Sequence, residues 1–473
     1  MIEEKTAALF GPKARPALIA AAILGALAIA FFARMAQADA LKIAFIHGAC
    51  LCVMFAVVAY KNYLSKIEIM IFCFLGVQFL ALAPRPEAMS AFISSHYFLS
   101  YRYGVSSRGL AATILDFFTG DGFVSATLLW HFIVSATALL AFAISIFMTA
   151  AMSGVSDEAK IFVIFMAFLW LSSFVSPAVY FGYPNFGRTE IFALIALFVI
   201  ASIAHRPHLK WLVPILALAV IATHLILVFF LMPFIGIVLW YLAIKEEPKS
   251  AESRRAWLLL AVTVALALVA FALYLLLAQG TFRFADSDSF YAHLMERTNT
   301  FDERGVFEYG LQFTMFASLE DHLAGWRDNI GIGFPGNKAV FICLPIVALF
   351  VTFWIKCFMI ETEKRRRLFF LIPIAVLPYN AIAFLLFFDF GRWITMLLAV
   401  QFMLAFYFIS LKDKTVLEVV HSGARVVKRH AFLITLACLL MAFLGPVHEI
   451  RVSESVRSIS STVRVLFGSF KGL

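Results

Sequence analysis

The sequence predicts an all-α, polytopic transmembrane helical bundle that forms a single integral membrane domain over residues 1–473. Of its residues, 63% are hydrophobic and only 14% are charged. Apolar runs of about 20 residues, the length that crosses a bilayer as a helix, recur from one end of the chain to the other. Lipid offers no water to an unpaired backbone group, so runs of this length must be helical.

About thirteen spans are predicted, with ends uncertain by a few residues. The first run is too long for the apolar core of a signal peptide and further runs follow it directly, so it is predicted to be a retained helix. The approximate bounds are 16–35, 41–60, 67–83, 123–150, 161–180, 187–204, 211–223, 224–243, 257–278, 339–358, 368–388, 393–411 and 431–447.

Basic residues occupy alternate loops, which the positive-inside rule assigns to the cytoplasm together with the N-terminus. This distribution also explains the formal charge of +9 without a nucleic-acid partner. Two long segments are then predicted outside: 84–122, as amphipathic helices along the interface, and 279–338. The basic loops contain Lys61 and Lys66, His205 to Lys210, Arg254 and Arg255, Lys364 to Arg367, and Lys412 to Arg429.

The run from Trp211 to Ile244 is too long for one span. As a single helix its 34 residues would extend about 51 Å, against a hydrocarbon core of about 30 Å. Both flanks are basic, which favours two short helices that turn near residues 222–225. His224 is then expected near the outer surface.

No cofactor and no metal are predicted. The six cysteines fall within or at the ends of apolar runs, without the spacing of metal ligands or of a disulfide framework in the outer segments. Cysteine is frequently buried, so these residues are predicted to pack in the helical core. They are Cys50, Cys52, Cys73, Cys343, Cys357 and Cys438.

Several charged or polar residues lie at the ends of apolar runs on the predicted outer side. Arg188 and Glu190 lie at the start of one span. They are interpreted either as a phosphate clamp or as an interfacial arginine followed by a carboxylate that the helix dipole stabilises. His224 is either a packing residue or a general base or phosphate ligand. Asp389 and Arg392 are three residues apart and can pair on a helix, either as a structural ion pair or to hold and orient a substrate, while Trp393 suits the membrane interface.

The first outer segment adds four charged residues, Arg102, Arg108, Asp116 and Asp121, among aromatic side chains. Aromatic rings stack on sugar faces and arginines bind diphosphate, which favours a glycolipid headgroup as ligand. An aromatic belt with snorkelling arginines is the alternative interpretation.

With these residues at one face, the chain resembles bacterial envelope-glycan membrane enzymes. Two groups share this plan, the polyprenyl-phosphate-sugar-dependent glycosyltransferases of GT-C architecture and the O-antigen or exopolysaccharide polymerases. The resemblance covers the architecture of the whole chain. By residue it covers only Arg102, Arg108, Asp116, Asp121, Arg188, His224, Asp389 and Arg392.

The resemblance implies glycosyl transfer or polymerisation at the outer face of the bacterial inner membrane, with a polyprenyl phosphate or diphosphate as leaving group. Arginines would hold the departing phosphate, and an imidazole or carboxylate would take the acceptor proton. Partners would be the lipid-linked sugar, membrane lipid and other glycan-assembly proteins. A transporter or flippase of a lipid-linked glycan is the main alternative, and a structural partner in an envelope assembly is a third.

Overall fold

The computed structural model describes residues 10–11, 14–106, 108–173, 175–183, 185–247, 250–277, 283–284, 286–300, 339–384 and 390–443. Within these ranges the regular elements are helical, which confirms the predicted all-α class. The α-helices are α1 Ala14–Met35, α2 Asp39–Lys61, α3 Lys66–Leu82, α4 Ala91–Ser95, α5 Gly109–Thr119, α6 Ala126–Ser153, α7 Asp157–Ser172, α8 Glu190–Ile203, α9 Val213–Thr223, α10 Leu227–Phe230, α11 Met232–Lys245, α12 Ala251–Leu277, α13 Ser287–Met295, α14 Ala339–Ile360, α15 Lys364–Phe369, α16 Ile372–Phe384, α17 Phe390–Ser410, α18 Lys414–Arg429 and α19 Ala431–Phe443.

Among the described residues, eight helices are long and apolar enough to cross a membrane, as expected of a multi-pass membrane protein. Several other predicted spans occur as shorter apolar helices, including α8, α9 and α19. The total of thirteen spans stays a prediction. The eight are Ala14–Met35, Asp39–Lys61, Ala126–Ser153, Asp157–Tyr180, Leu227–Lys245, Ala251–Tyr274, Cys343–Ile360 and Trp393–Ser410.

Polar side chains fix several helix starts. At the start of α3, Ser65 and Glu68 form a capping box. The side chain of each residue accepts a hydrogen bond from the backbone N–H of the other. Ser125 accepts from the backbone N–H of Leu128 to begin α6. These caps satisfy donors that the helical ladder leaves open.

Loops that the charge pattern assigns to the cytoplasm contact one another. The Arg15 Nε donates to the carbonyl of Ala59 at 3.4 Å, close to the end of α2. Arg206, in the loop after α8, lies over the Tyr60 ring with its Cζ 4.9 Å from the centroid. The three segments therefore share one end of the helices, although the side of the membrane stays a prediction.

A second set of predicted cytoplasmic residues forms a buried ion-pair network. Asp413 accepts from the Tyr241 hydroxyl at 2.6 Å and from Arg366 Nη2 at 2.5 Å. Arg366 also pairs with Glu361 at 3.1 Å, and Glu361 accepts from Thr415 at 2.7 Å. This network joins α11, the end of α14 and α15 to the start of α18.

The segment that follows, predicted as a basic cytoplasmic loop, contains the amphipathic helix α18. Its apolar face packs on α7. Its basic residues stay on the other face, which is the pattern of a helix that lies along a membrane surface.

Helix α17 lies deep in the bundle, since 94% of the residues in its apolar stretch Trp393–Ser410 are buried. A polar relay ties it to two neighbours: Trp354 Nε1 donates to Gln401 Oε1 at 2.8 Å, and Gln401 Nε2 donates to the carbonyl of Pro373 at 3.0 Å. The predicted packing role of the cysteines holds for the four buried ones and not for Cys73, which is exposed. The buried ones are Cys50, Cys343, Cys357 and Cys438, and Cys52 is intermediate.

The first outer segment is more deeply buried than predicted. It contains two short helices and two 3-10 turns, Pro86–Ala88 and His96–Phe98, but its centre does not lie along a surface. Tyr97, Phe98 and Leu99 are at most 2% exposed. These side chains pack with residues of α6 and α13 in one apolar core cluster. This position removes more of their apolar surface from water than a position along the membrane interface would.

The break predicted within the long apolar run is present. Helix α9 ends at Thr223, His224 has extended backbone angles of φ −165° and ψ 120°, and α10 begins at Leu227. The Tyr101 hydroxyl donates to the carbonyl of Ala222 at 2.9 Å, which places this end of α9 against the first outer segment.

Candidate functional site

Four basic side chains from four separated segments meet at the helix break, and we call them the arginine-histidine cluster: His96, Arg108, Arg188 and His224. His96 begins a 3-10 turn, Arg108 precedes α5, Arg188 precedes α8, and His224 follows α9. Each therefore lies at an element end, where the backbone can change direction and aim a side chain inwards.

The two arginines lie in electrostatic range of both imidazoles. Arg108 Nη1 contacts the His96 ring, at 3.1 Å from Nδ1. A guanidinium only donates, so the His96 nitrogen that it contacts must be an acceptor and the ring is neutral. Burial, followed by the Arg108 and Arg188 charges, holds the pKa of His96 well below its usual value of 6.5.

Arg188 is 3% exposed and is held by the turn before α8. Its Nε donates to Asn185 Oδ1 at 2.8 Å, and Gly187 provides the left-handed turn at φ +82°. The Tyr97 hydroxyl donates to the Gly187 carbonyl at 2.5 Å. Glu190, 1% exposed, follows in the first turn of α8 and lies in electrostatic range of Tyr97.

His224 is oriented by its own turn. Its Nδ1 accepts from the backbone N–H of Ile226 at 3.4 Å, which assigns the proton of the neutral ring to Nε2. This Nε2 is buried and has no hydrogen-bond partner among the described residues. His224 thus presents a donor, which suits an anionic ligand better than the role of general base.

Trp393 lies beside His224 and is 1% exposed, so its ring packs within the protein, while its depth in the membrane stays a prediction. Its ring stacks on Phe230 with centroids 4.8 Å apart, and the His224 ring meets it edge-on at 6.0 Å. The short helix α10 covers the indole, which explains the burial. Of the pair predicted next to it, Asp389 and the Arg392 side chain lie outside the described residues.

Three other predicted charges form a second group together with Arg297, which was not predicted as a site residue. We call this group the outer cap: Arg102, Asp116, Asp121 and Arg297. Arg102 contacts Asp121 and lies 3.9 Å from Asp116. Arg297, 4% exposed, donates to Asp116 Oδ1 at 3.2 Å and to the Gly120 carbonyl at 2.7 Å. The bond from Arg102 lowers the pKa of Asp121.

The outer cap joins the two outer segments. The Val124 N–H donates to the Arg297 carbonyl at 2.7 Å, and the Thr298 hydroxyl donates to the Val124 carbonyl at 2.7 Å. Because Asp116 and Asp121 are held as ion-pair partners in this joint, their contacts favour a structural role over that of a catalytic base.

Sequence reasoning missed His96, Asn185 and the pairing of Arg297. His96 stands in an aromatic stretch of the first outer segment, and its polarity among apolar neighbours was an available signal. Arg297 and Asp116 are separated by 181 residues, so no local pattern connects them.

No protein-family model, curated protein or solved structure gives a significant match to this chain.

Proposed function

We propose that this chain transfers or polymerises glycosyl units at the extracytoplasmic face, using a sugar linked to a polyprenyl phosphate or diphosphate. The supporting observation is the arginine-histidine cluster. A buried cation in a membrane protein is costly unless it has a partner or a polar ligand, and a pair of guanidiniums suits phosphate oxygens.

In this proposal Arg108 and Arg188 bind the lipid-linked phosphate, and His224 Nε2 donates to one of its oxygens. The acceptor hydroxyl attacks the anomeric carbon as the bond from that carbon to the phosphate oxygen breaks. The leaving phosphate keeps the electron pair, and the hydroxyl proton passes to a carboxylate. Glu190 is the proposed proton acceptor, because it is a buried acid two residues after Arg188 in the chain.

The placement of the cluster supports an enzyme over a transporter. The predicted topology places all four at the outer face, with His96 and Arg108 in the segment 84–122, Arg188 at the start of a span and His224 at the outer turn. Transporters bind substrate near the midplane between broken helices. Asp389 and Arg392 stay predicted members of the same site.

The test replaces Arg108 or Arg188 by alanine and measures transfer from synthetic polyprenyl-phosphate and polyprenyl-diphosphate sugars. We expect a loss of about 100-fold or more, typical of removing a donor to developing charge. Lysine should restore little, because it lacks the planar fork of donors. The exposed Arg255 provides the control, as Arg255→Ala should leave transfer unchanged.

Two outcomes would contradict the proposal. Normal product from both alanine variants at normal abundance would remove the cluster from the reaction. The transporter would be favoured if the wild type shows no transfer activity and the alanine variants lose translocation of a lipid-linked glycan.

A further inference from the structure

A polar pocket lies apart from the arginine-histidine cluster, where the turn between α1 and α2 meets the loop after α5. Its volume is about 530 Å³, within the range of small-molecule sites. The lining residues are Arg34, Met35, Ala36, Gln37, Asp39, Lys42, Thr119, Gly120, Asp121, Gly122 and Phe123.

Lys42 is the decisive residue of this pocket. It lies in the first turn of α2 and is only 4% exposed. Over the described part of the chain, no side chain forms an ion pair with its ammonium group and none accepts a hydrogen bond from it. The side chain is thus largely buried while it lines the pocket, and an ammonium group with no protein partner in such a position favours an anion that the protein itself does not supply.

The two acids of the pocket are already engaged with other groups. Asp39 accepts from the Ser125 hydroxyl at 2.5 Å, and Asp121 is bound by Arg102 of the outer cap. Arg34 is exposed at the rim and lies in electrostatic range of Asp121. The Ser125 hydroxyl is neutral and leaves the charge of Asp39 in place. With Asp121 paired to Arg102, the lining therefore has two cations, Arg34 and Lys42, against one carboxylate.

Two glycines bring the loop backbone close to the cations. A Cβ added at Gly122 would lie 3.0 Å from Lys42 Nζ. At Gly120, where φ is +59°, an added Cβ would lie 3.2 Å from Arg34 Nε. The Thr119-Gly-Asp-Gly122 loop thus leaves room beside both cations that any larger residue would fill.

We propose that this pocket binds a phosphate or diphosphate group, as a second anion site that does not rest on the proposed function. Helix α5 separates it from the arginine-histidine cluster, since Arg108 precedes this helix and Thr119 ends it. Eleven residues of helix extend about 16 Å, so one phosphate group cannot occupy both sites.

The test measures binding of inorganic pyrophosphate and of a polyprenyl monophosphate to the full chain in phosphatidylcholine nanodiscs. Lys42→Met keeps the length of the side chain, removes its charge and leaves an apolar group suited to burial. We expect Lys42→Met to weaken binding at least tenfold without lowering the melting temperature. Gly122→Ala, which fills the loop beside Nζ, should weaken the same binding event. Lys160→Met, at a partly exposed position, is the control for loss of a lysine charge elsewhere in the chain.

Binding is also measured in the Arg188→Ala background, which separates this site from the arginine-histidine cluster. Binding that persists there and is lost on adding Lys42→Met supports the proposal whether or not glycosyl transfer is found. Saturation by pyrophosphate identifies a free phosphate as sufficient, whereas binding of the polyprenyl phosphate alone assigns a lipid headgroup. Wild-type affinity for both probes in Lys42→Met, or no binding of either probe to the wild type, overturns the proposal.

Discussion

The neutral state of His96 makes stability depend on pH. Burial, Arg108 and Arg188 depress its folded-state pKa below the ordinary 6.5, so the unfolded chain takes up a proton first as the pH falls. The contribution of His96 is therefore complete above pH 6.5 and is lost progressively from there down towards the depressed pKa, by up to about 1.4 kcal/mol for each pH unit.

We expect the melting temperature in detergent to fall from pH 7.5 to pH 5, and to fall less steeply in His96→Gln. His421→Gln, at an exposed position on α18, is the control and should keep the wild-type pH dependence. Equal slopes in wild type and His96→Gln would contradict the assignment of a neutral His96.

Gly187 is a second residue where substitution has a clear expected result. Its φ of +82° disfavours any side chain, and an added Cβ would lie 2.5 Å from the Ile133 Cδ1. Gly187→Ala should destabilise the protein by about 1–3 kcal/mol. It should also displace the neighbouring Arg188.

Gly236 is the matched control, because it lies inside α11 with nothing within 4 Å of an added Cβ. Gly236→Ala should be neutral or stabilising by up to about 1 kcal/mol, since alanine is the better helix former. Thermal unfolding of both variants gives the comparison. A stable Gly187→Ala protein would mean that the turn before α8 is not as the structure has it.

At the scale of helices, the relay through Gln401 connects α14, α16 and α17. Gln401→Leu would leave the buried indole N–H of Trp354 without its acceptor, whereas the Pro373 carbonyl keeps its backbone bond within α16. We expect a loss of about 1–3 kcal/mol, measured by unfolding in detergent. Met403→Leu, a nearly volume-conserving change at a buried position of the same helix, should cost less than about 1.5 kcal/mol. Similar stability of the two variants would show that the relay contributes little.

The sequence was sufficient for the helices and for the break at His224, because run length and basic flanks are local properties. It was insufficient for the burial of Tyr97 and Trp393. Aromatic residues in a segment between spans have the same composition whether they meet lipid headgroups or a protein core, and only tertiary contacts distinguish the two. The isolation of Lys42 was equally hidden, since it depends on Asp39 and Asp121 being bound by Ser125 and Arg102, which are distant in the sequence.

At the scale of the whole molecule, the charge pattern predicts which loops face the cytoplasm. Ser289 and Thr362 are both exposed and lie in segments predicted on different sides. In a background without the six native cysteines, an impermeant thiol reagent should label Ser289→Cys in intact cells and Thr362→Cys only after the membrane is opened. The reverse result would invert the topology.

The joint between Val124 and Thr298 bears on the order in which the molecule is assembled. The two residues are 174 positions apart, so at a synthesis rate of about 5–20 residues per second the second partner arrives roughly 9–35 s after the first. Helices α6 to α13 are made in that interval. The ion pair between Asp116 and Arg297 can therefore form only after the centre of the chain has been synthesised. The outer cap consequently closes late, after the segments that contribute His96, Arg108, Arg188 and His224 have all been synthesised.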